Sequence, residues 1–206
     1  MKKALFIDLD NTIYPVSAIH KESAAPLIRL IAGSVLLRPR LGEIEAMMQR
    51  KPFQLVEKAF GFPEELSNKC YALLTSMTYD KPMATFEDYS ILRELPMDRY
   101  LVTSGFHRFQ WSKIRSLGIE RDFREIHVVD ATTSRLTKKS VFADIIGRHG
   151  LSAQDSLVIG DDPENEIRAA KELGIDYVLY DRITMFPDLD DRRRITHYAD
   201  IGSFLH

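Results

Sequence analysis

Ala4-Leu5-Phe6-Ile7-Asp8-Leu9-Asp10-Asn11-Thr12 is the stretch that decides how this chain is read. A short unbroken apolar run is expected of a strand buried on both faces, and this one ends abruptly in acids. Residues two apart in extended backbone share a side, so Asp8 and Asp10 leave the strand end together. Two carboxylates at one buried edge repel each other unless a cation neutralises them. Mg²⁺ suits oxygen ligands of this kind and usually keeps several waters. The pair also permits a division of labour, one carboxylate attacking as a nucleophile and the other carrying a proton. The competing reading is a turn or helix-start cluster, which Asp, Asn and Thr also favour.

Comparable apolar runs recur downstream and end the same way. Tyr100-Leu101-Val102 ends at Thr103-Ser104-Gly105, Ile126–Val129 at Asp130, Leu157-Val158-Ile159 at Gly160-Asp161-Asp162, and Tyr177–Tyr180 at Asp181. Between them, helical periodicity covers 106–117, 140–149 and 165–173, each followed by a glycine stop at Gly118, Gly150 or Gly174. Strand and helix alternating at this spacing predict an α/β fold with a doubly wound parallel sheet. Such sheets place ligands at the carboxyl ends of their strands, where these polar clusters fall. Residues 14–85 differ: apolar stripes suggest four helices and no strand, with Pro39, Pro52, Pro63 and Pro82 as punctuation. The expected division is an α/β core of residues 1–13 and 86–206, with a small all-helical domain inserted at 14–85.

Three further clusters carry possible chemistry. In Gly160-Asp161-Asp162-Pro163-Glu164-Asn165-Glu166 a second buried strand delivers acids. Asp161 can complete a metal shell opened by Asp8, with Asp162 or Glu166 as further ligands, and Gly160 allows a close approach. Acids also suit a first helical turn, the better account of Glu164. At Thr103-Ser104-Gly105 a hydroxyl and turn amides could hold a phosphate oxygen, although Ser and Thr end many strands for turn reasons. Lys138 or Lys139 could neutralise phosphate and nucleophile charge, although most lysines are solvated.

Composition narrows the field. The 206 residues are 45% apolar and 28% charged with a formal net charge of -2, which suits a globular chain and offers no basic surface for nucleic acid or anionic membrane. The mixed run Asp190-Asp191-Arg192-Arg193-Arg194 reads as a solvated loop or helix start. The single cysteine, Cys70, cannot form an internal disulfide and reads as a small packed hydrophobe. Ala4–Ile7 is too short for a secretory signal core, and no stretch reaches the length of a membrane span. The expected location is therefore cytoplasmic. No glycine-rich loop with Lys-Ser/Thr is present, and the first strand turn carries Asp-Leu-Asp where a dinucleotide-binding glycine fingerprint would stand.

Taken in order, these four clusters resemble the motifs of the haloacid dehalogenase-like hydrolase superfamily. Asp8–Thr12 resembles its first motif, Thr103 the hydroxyl residue of its second, Lys138 or Lys139 its lysine, and Gly160-Asp161-Asp162 with Asn165-Glu166 its fourth. The sequence departs from the pattern at Ser104, where Asn is frequent, at the lysine, which lacks a following Pro, and at Glu166, where Asp is common. The resemblance covers roughly residues 1–13 and 86–185, and it makes the helical insert a cap between the first and second motifs on a Rossmann-like core. Asp8–Pro15 is also similar to the branch that includes pyrimidine nucleotidases. The resemblance implies a Mg²⁺-dependent phosphatase acting on a small phosphorylated metabolite. Asp8 would be the nucleophile, Asp10 the acid/base, and Thr103 and Lys138 catalytic. Thr12, Ser104, Gly105 and Lys139 would bind substrate phosphate, and Asp8, Asp10, Asp161, Asp162 and Glu166 the metal. It also admits a phosphoglucomutase-like transfer, a dehalogenase, which would not need Asp10, and a non-catalytic binding module. No feature of the sequence assigns an oligomeric state.

Overall fold

The computed structural model describes residues 1–49, 51–187 and 192–206. Its centre is a six-stranded, all-parallel sheet in the order β3-β2-β1-β4-β5-β6. The strands are β1 (Ala4–Ile7), β2 (Asp98–Ser104), β3 (Glu125–Val129), β4 (Ser156–Gly160), β5 (Asp176–Tyr180) and β6 (Arg194–Ile195). Helices α1 (Ser17–Ala32), α2 (Leu41–Met48), α3 (Phe53–Phe60) and α4 (Glu64–Ser76) follow β1. Then come α5 (Tyr89–Glu94), α6 (His107–Leu117), α7 (Lys138–His149) and α8 (Glu166–Leu173).

The unbroken apolar strands are explained by helices on both faces. Leu5 and Ile7 face a cluster that includes Leu92, Ile114, Tyr180 and Tyr198. Ala4 and Phe6 face the other layer, with Val141, Phe142, Ile145 and Ala170 from α7 and α8. Strand order reverses at β1, whose neighbours are β2 and β4, so the crevice between the ends of β1 and β4 is the switch point where such sheets bind ligands. Asp8 and Asp161 flank it.

Helices α1 to α4 carry an apolar core of their own, with Leu27, Ile31, Ile44, Phe53, Val56, Cys70 and Leu74 buried together. Pro52 and Pro63 stand immediately before α3 and α4, where the missing N–H costs least. Burial raises the Cys70 thiol to about 11, which keeps it protonated and inert. Among the described residues, no helix is long and apolar enough to cross a membrane.

The sequence reading passed over α5 and β6. Helix α5 is too short to show a period, and β6 is two residues long. Asp190 and Asp191 lie outside the described residues; the arginines that follow end in strand rather than in a loop or helix start, Arg194 pairing with buried Asp181 at 2.8 Å.

Phe6 is 1% exposed and packs on Tyr100 at 5.4 Å and Phe142 at 5.1 Å between ring centroids. Phe6→Ala is expected to cost ~3–5 kcal/mol, the range for emptying an aromatic from a packed core. Urea unfolding measures it, and a loss under about 1 kcal/mol would contradict this packing.

Candidate active site

Asp8 follows β1 directly, and its backbone N–H extends the sheet by donating to the Ile159 carbonyl at 3.0 Å. The loop beyond it is pinned by several bonds. Asn11 adopts a left-handed φ of 55°, which Asn tolerates better than most residues. Its Oδ1 accepts from the Val16 N–H at 3.0 Å and its Nδ2 donates to Asp161 Oδ2 at 3.2 Å. The Tyr198 hydroxyl donates to the Thr12 carbonyl at 2.8 Å.

Carboxylate oxygens of Asp8, Asp161 and Glu166 lie within 4.8 Å of one another. Glu166 comes from the first turn of α8 and reaches back over the end of β4. It can do so because residue 160 is glycine: a Cβ there would stand 2.6 Å from Glu166 Cδ and closer still to other atoms of that side chain. Lys138, from the first turn of α7, donates to Asp8 Oδ1 at 2.6 Å and to Glu166 Oε2 at 2.7 Å. Helix α7 begins earlier than its apolar period shows, because Thr137 and Ser140 form a reciprocal capping box at its start. That cap sets the phase which turns Lys138 inward.

Burial sets the electrostatics. Removal from water raises the Asp8 carboxyl, Glu166 and Asp10 add repulsion, and against the pull of Lys138 it stands at about 7. Asp161 is raised by burial first and then by Glu166 and Asp8. Burial works against charge on Lys138, yet Asp8 and Glu166 more than offset it and keep the ammonium protonated. This all-oxygen, mutually repelling donor set, with one cation already in place, fits a hard divalent ion.

Asp10 stands apart from that trio. Lys113 of α6, 3% exposed, donates to both its oxygens at 2.5 and 2.8 Å. Gln110 donates to Asp10 Oδ2 at 2.9 Å and to Thr103 Oγ1 at 2.6 Å, and the Tyr14 hydroxyl also donates to Asp10. Burial alone would raise Asp10, but Lys113 and these hydrogen bonds outweigh it and hold the carboxyl below its usual range.

The structure places several of the sequence-predicted residues away from the carboxylate trio. Lys139 faces solvent and pairs with Glu172 at 2.8 Å, because consecutive helical residues point about 100° apart. The Thr12 hydroxyl is fully buried, with no hydrogen-bond partner among the described residues and no place on the cavity wall. The Gly105 N–H is taken by the Val129 carbonyl at 3.0 Å; its φ of 146° and the Gln110 side chain, 3.0 Å from where a Cβ would sit, explain the glycine. Asp162 lies outside the carboxylate trio, its Oδ1 accepting from the Glu164 N–H at 2.9 Å. Thr103, Ser104, Gly105 and Asp162 all line the cavity with Asp8. Asn11, Gln110 and Lys113 were not singled out from sequence. Lys113 had a signal, a lysine on the apolar stripe of α6 with Phe109 and Leu117.

The fold and these groups define an α/β enzyme with a carboxylate–lysine centre at the switch point of a parallel sheet. A family profile for haloacid dehalogenase-like hydrolases matches residues 2–174, and the chain belongs to that family. It is 25% identical over 191 residues to a glyceraldehyde 3-phosphate phosphatase of Methanopyrus kandleri, covering 85% of this chain and 82% of that protein. A protein of the same description from Methanothermobacter thermautotrophicus is 22% identical over 202 residues, covering 87% and 85%. Among solved structures, the putative HAD-hydrolase YfnB of Bacillus subtilis, bound to magnesium, superposes with a TM-score of 0.66 at 19% identity over 100% of this chain and 99% of that one. The L-2-haloacid dehalogenase of Xanthobacter autotrophicus gives 0.54 at 16% identity, covering 90% and 80%.

The raised carboxyl of Asp161 has a stability consequence. A group whose folded pKa lies above its unfolded value favours the fold while protonated and loses that contribution as pH rises from the unfolded value through the folded one. In chelator, Asp161→Asn is therefore expected to raise the melting temperature at pH 8 by roughly 2–4 °C, about 1 kcal/mol for a chain of this size. The gain should shrink toward pH 4, where the native carboxyl is neutral. Calorimetry across that range checks it, and a gain largest at pH 4 would contradict the assignment.

Proposed function

We propose that the chain is a magnesium-dependent phosphatase that hydrolyses a small phosphate monoester through an aspartyl-phosphate on Asp8. The observation that carries this reading is the convergence of Asp8, Asp161, Glu166 and Lys138 at one point of the sheet rim, with Asp10, in the same loop as Asp8, held separately by Lys113. The names of the archaeal relatives support phosphate esters as the substrate class.

Asp8, Asp161 and Glu166 would hold Mg²⁺, which when bound neutralises carboxylate and phosphate charge. In the first half-step an Asp8 oxygen attacks phosphorus, the bond from phosphorus to the ester oxygen breaks, and Asp10 gives that oxygen a proton. Lys138 offsets charge on the phosphoryl oxygens, and Thr103 and Ser104 border the same space. In the second, Asp10 takes a proton from water as its oxygen attacks phosphorus, releasing Asp8 and inorganic phosphate. Positioning and fixed charge account for most of the rate in such reactions. Lys113 sets the resting state of Asp10 as a carboxylate, the form the second half-step uses. An incoming phosphate dianion raises its proton affinity by repulsion, which supplies the form the first half-step uses.

Asp8→Asn is expected to abolish release of inorganic phosphate from a broad panel of monoesters, and chelation to do the same reversibly on Mg²⁺ addition. Turnover that persists in Asp8→Asn protein would remove the covalent reading, and transfer of phosphate to a second alcohol instead of water would identify a mutase. Asp10→Asn should lower kcat by about 10²–10⁴ on an alkyl phosphate, the range for losing a general acid. The loss should be smaller on p-nitrophenyl phosphate, whose leaving group needs no proton; equal losses would contradict proton donation by Asp10.

A further inference from the structure

We propose that the monoester this site selects has a leaving alcohol carrying a planar aromatic body, bound along the apolar part of the cavity wall. The inference rests on the phosphatase reading above and adds the chemistry of the group beyond the phosphate.

The cavity that begins at Asp8 runs between the sheet rim and the helical insert and encloses about 870 Å³. A three-carbon phosphate would occupy the carboxylate end and leave most of this volume to water. The charged groups that treat phosphate are gathered at that end. The remaining wall is largely apolar and strongly aromatic, with Phe53 and Leu55 from the insert, Phe109 from α6, and Phe186 from the loop after β5. Among the described residues, Lys51 is the only lysine, arginine or carboxylate that the insert adds to it; His20, Ser23, Gln49 and Gln54 add polar side chains, and Glu164 and Arg168 reach the wall from the core. A polyol on such a wall would lose hydration without full replacement of its hydrogen bonds. An aromatic body would stack on the phenyl rings and keep ring heteroatoms for the polar edge.

Two observations indicate a wall built for this purpose. First, the fold commits a buried carboxylate to placing Phe186. Asp181, 2% exposed, accepts from the Met185 N–H at 2.6 Å and the Phe186 N–H at 3.2 Å and pairs with Arg194 at 2.8 Å. These bonds bend the chain after β5 back to the cavity, where Met185 Sδ lies 3.9 Å from Asn11 Nδ2. Second, Leu55 borders the cavity while 49% exposed, apolar area that a bound aromatic would remove from water.

Binding energy gained on a remote part of the substrate can be spent at the reacting bond, so kcat/KM reads out the wall. The test compares ethyl phosphate with 2-(2-naphthyl)ethyl phosphate in Mg²⁺. Both release a primary alcohol of similar acidity, so their intrinsic labilities match and the ratio reports the added aromatic body. The expected kcat/KM ratio is roughly 10² in favour of the naphthyl ester, about 2.7 kcal/mol of apolar binding. Leu55→Ser, at a half-exposed position that the fold does not need, and Phe186→Ala should each lower that ratio severalfold. A variant that merely folds poorly would depress both esters together and leave the ratio intact. A ratio near one, better turnover of glyceraldehyde 3-phosphate than of the naphthyl ester, or a ratio unmoved by both substitutions overturns the assignment while leaving the phosphatase reading in place. Inertness of every ester with Mg²⁺ present overturns both.

Discussion

The structure depends on one buried ammonium. Lys138 is 3% exposed along its side chain and sits between Asp8 and Glu166 at 2.6 and 2.7 Å. It brings β1, α7 and α8, elements far apart in the chain, to a common point. Desolvating such a cluster costs more than a simple ion pair returns, and with Asp161 beside it three carboxylates face one cation. The fold accepts this surplus of negative charge at its own expense, the usual relation between an active site and the protein that carries it. The raised carboxyls of Asp8 and Asp161 are the record of that cost.

Glycine makes the convergence possible. Glu166 starts a helix, and its side chain must double back across the strand that precedes the turn. The absence of a Cβ at Gly160 leaves the space its carboxylate occupies. Once there, Glu166 Oε1 accepts from the Asp162 N–H at 2.7 Å, so the same side chain closes the turn and completes the carboxylate trio. Asp162 braces the turn by accepting from the Glu164 N–H. One short segment thus assigns its acids to different tasks by backbone direction alone.

Much of the fold was legible because it follows from periodicity. Runs such as Ala4–Ile7 and Leu157–Ile159 can only be buried strands when each ends in turn residues, and the helices of the insert showed their stripes from Leu27 to Met77. The carboxylate pairing of Asp8 with Asp161 followed from sheet topology, since strand ends meet at one rim. What escaped was set by helical phase and long-range contact. Lys113 lies 103 residues from Asp10, and helical spacing alone does not reveal that partner. The competition between Asp162 and Glu166 turned on how one loop bends, which composition does not encode. Thr12 looked available because its motif places a hydroxyl near the acids, yet the left-handed Asn11 turns the backbone and buries it.

The two halves of the site also constrain each other. The core presents fixed charges and the insert a mostly apolar wall, and charges act more strongly where low-polarity groups displace water. Lys113 depends on the same surroundings. Its ammonium lies 5.0 Å from the Phe109 ring and 5.5 Å from the Tyr14 ring, so aromatic groups that border the cavity also hold the cation that governs Asp10. The cavity wall and the cluster around Asp10 therefore share residues. A change at Phe109 would alter both the shape of the cavity and the setting of Asp10, because Phe109 and Lys113 touch within one helix.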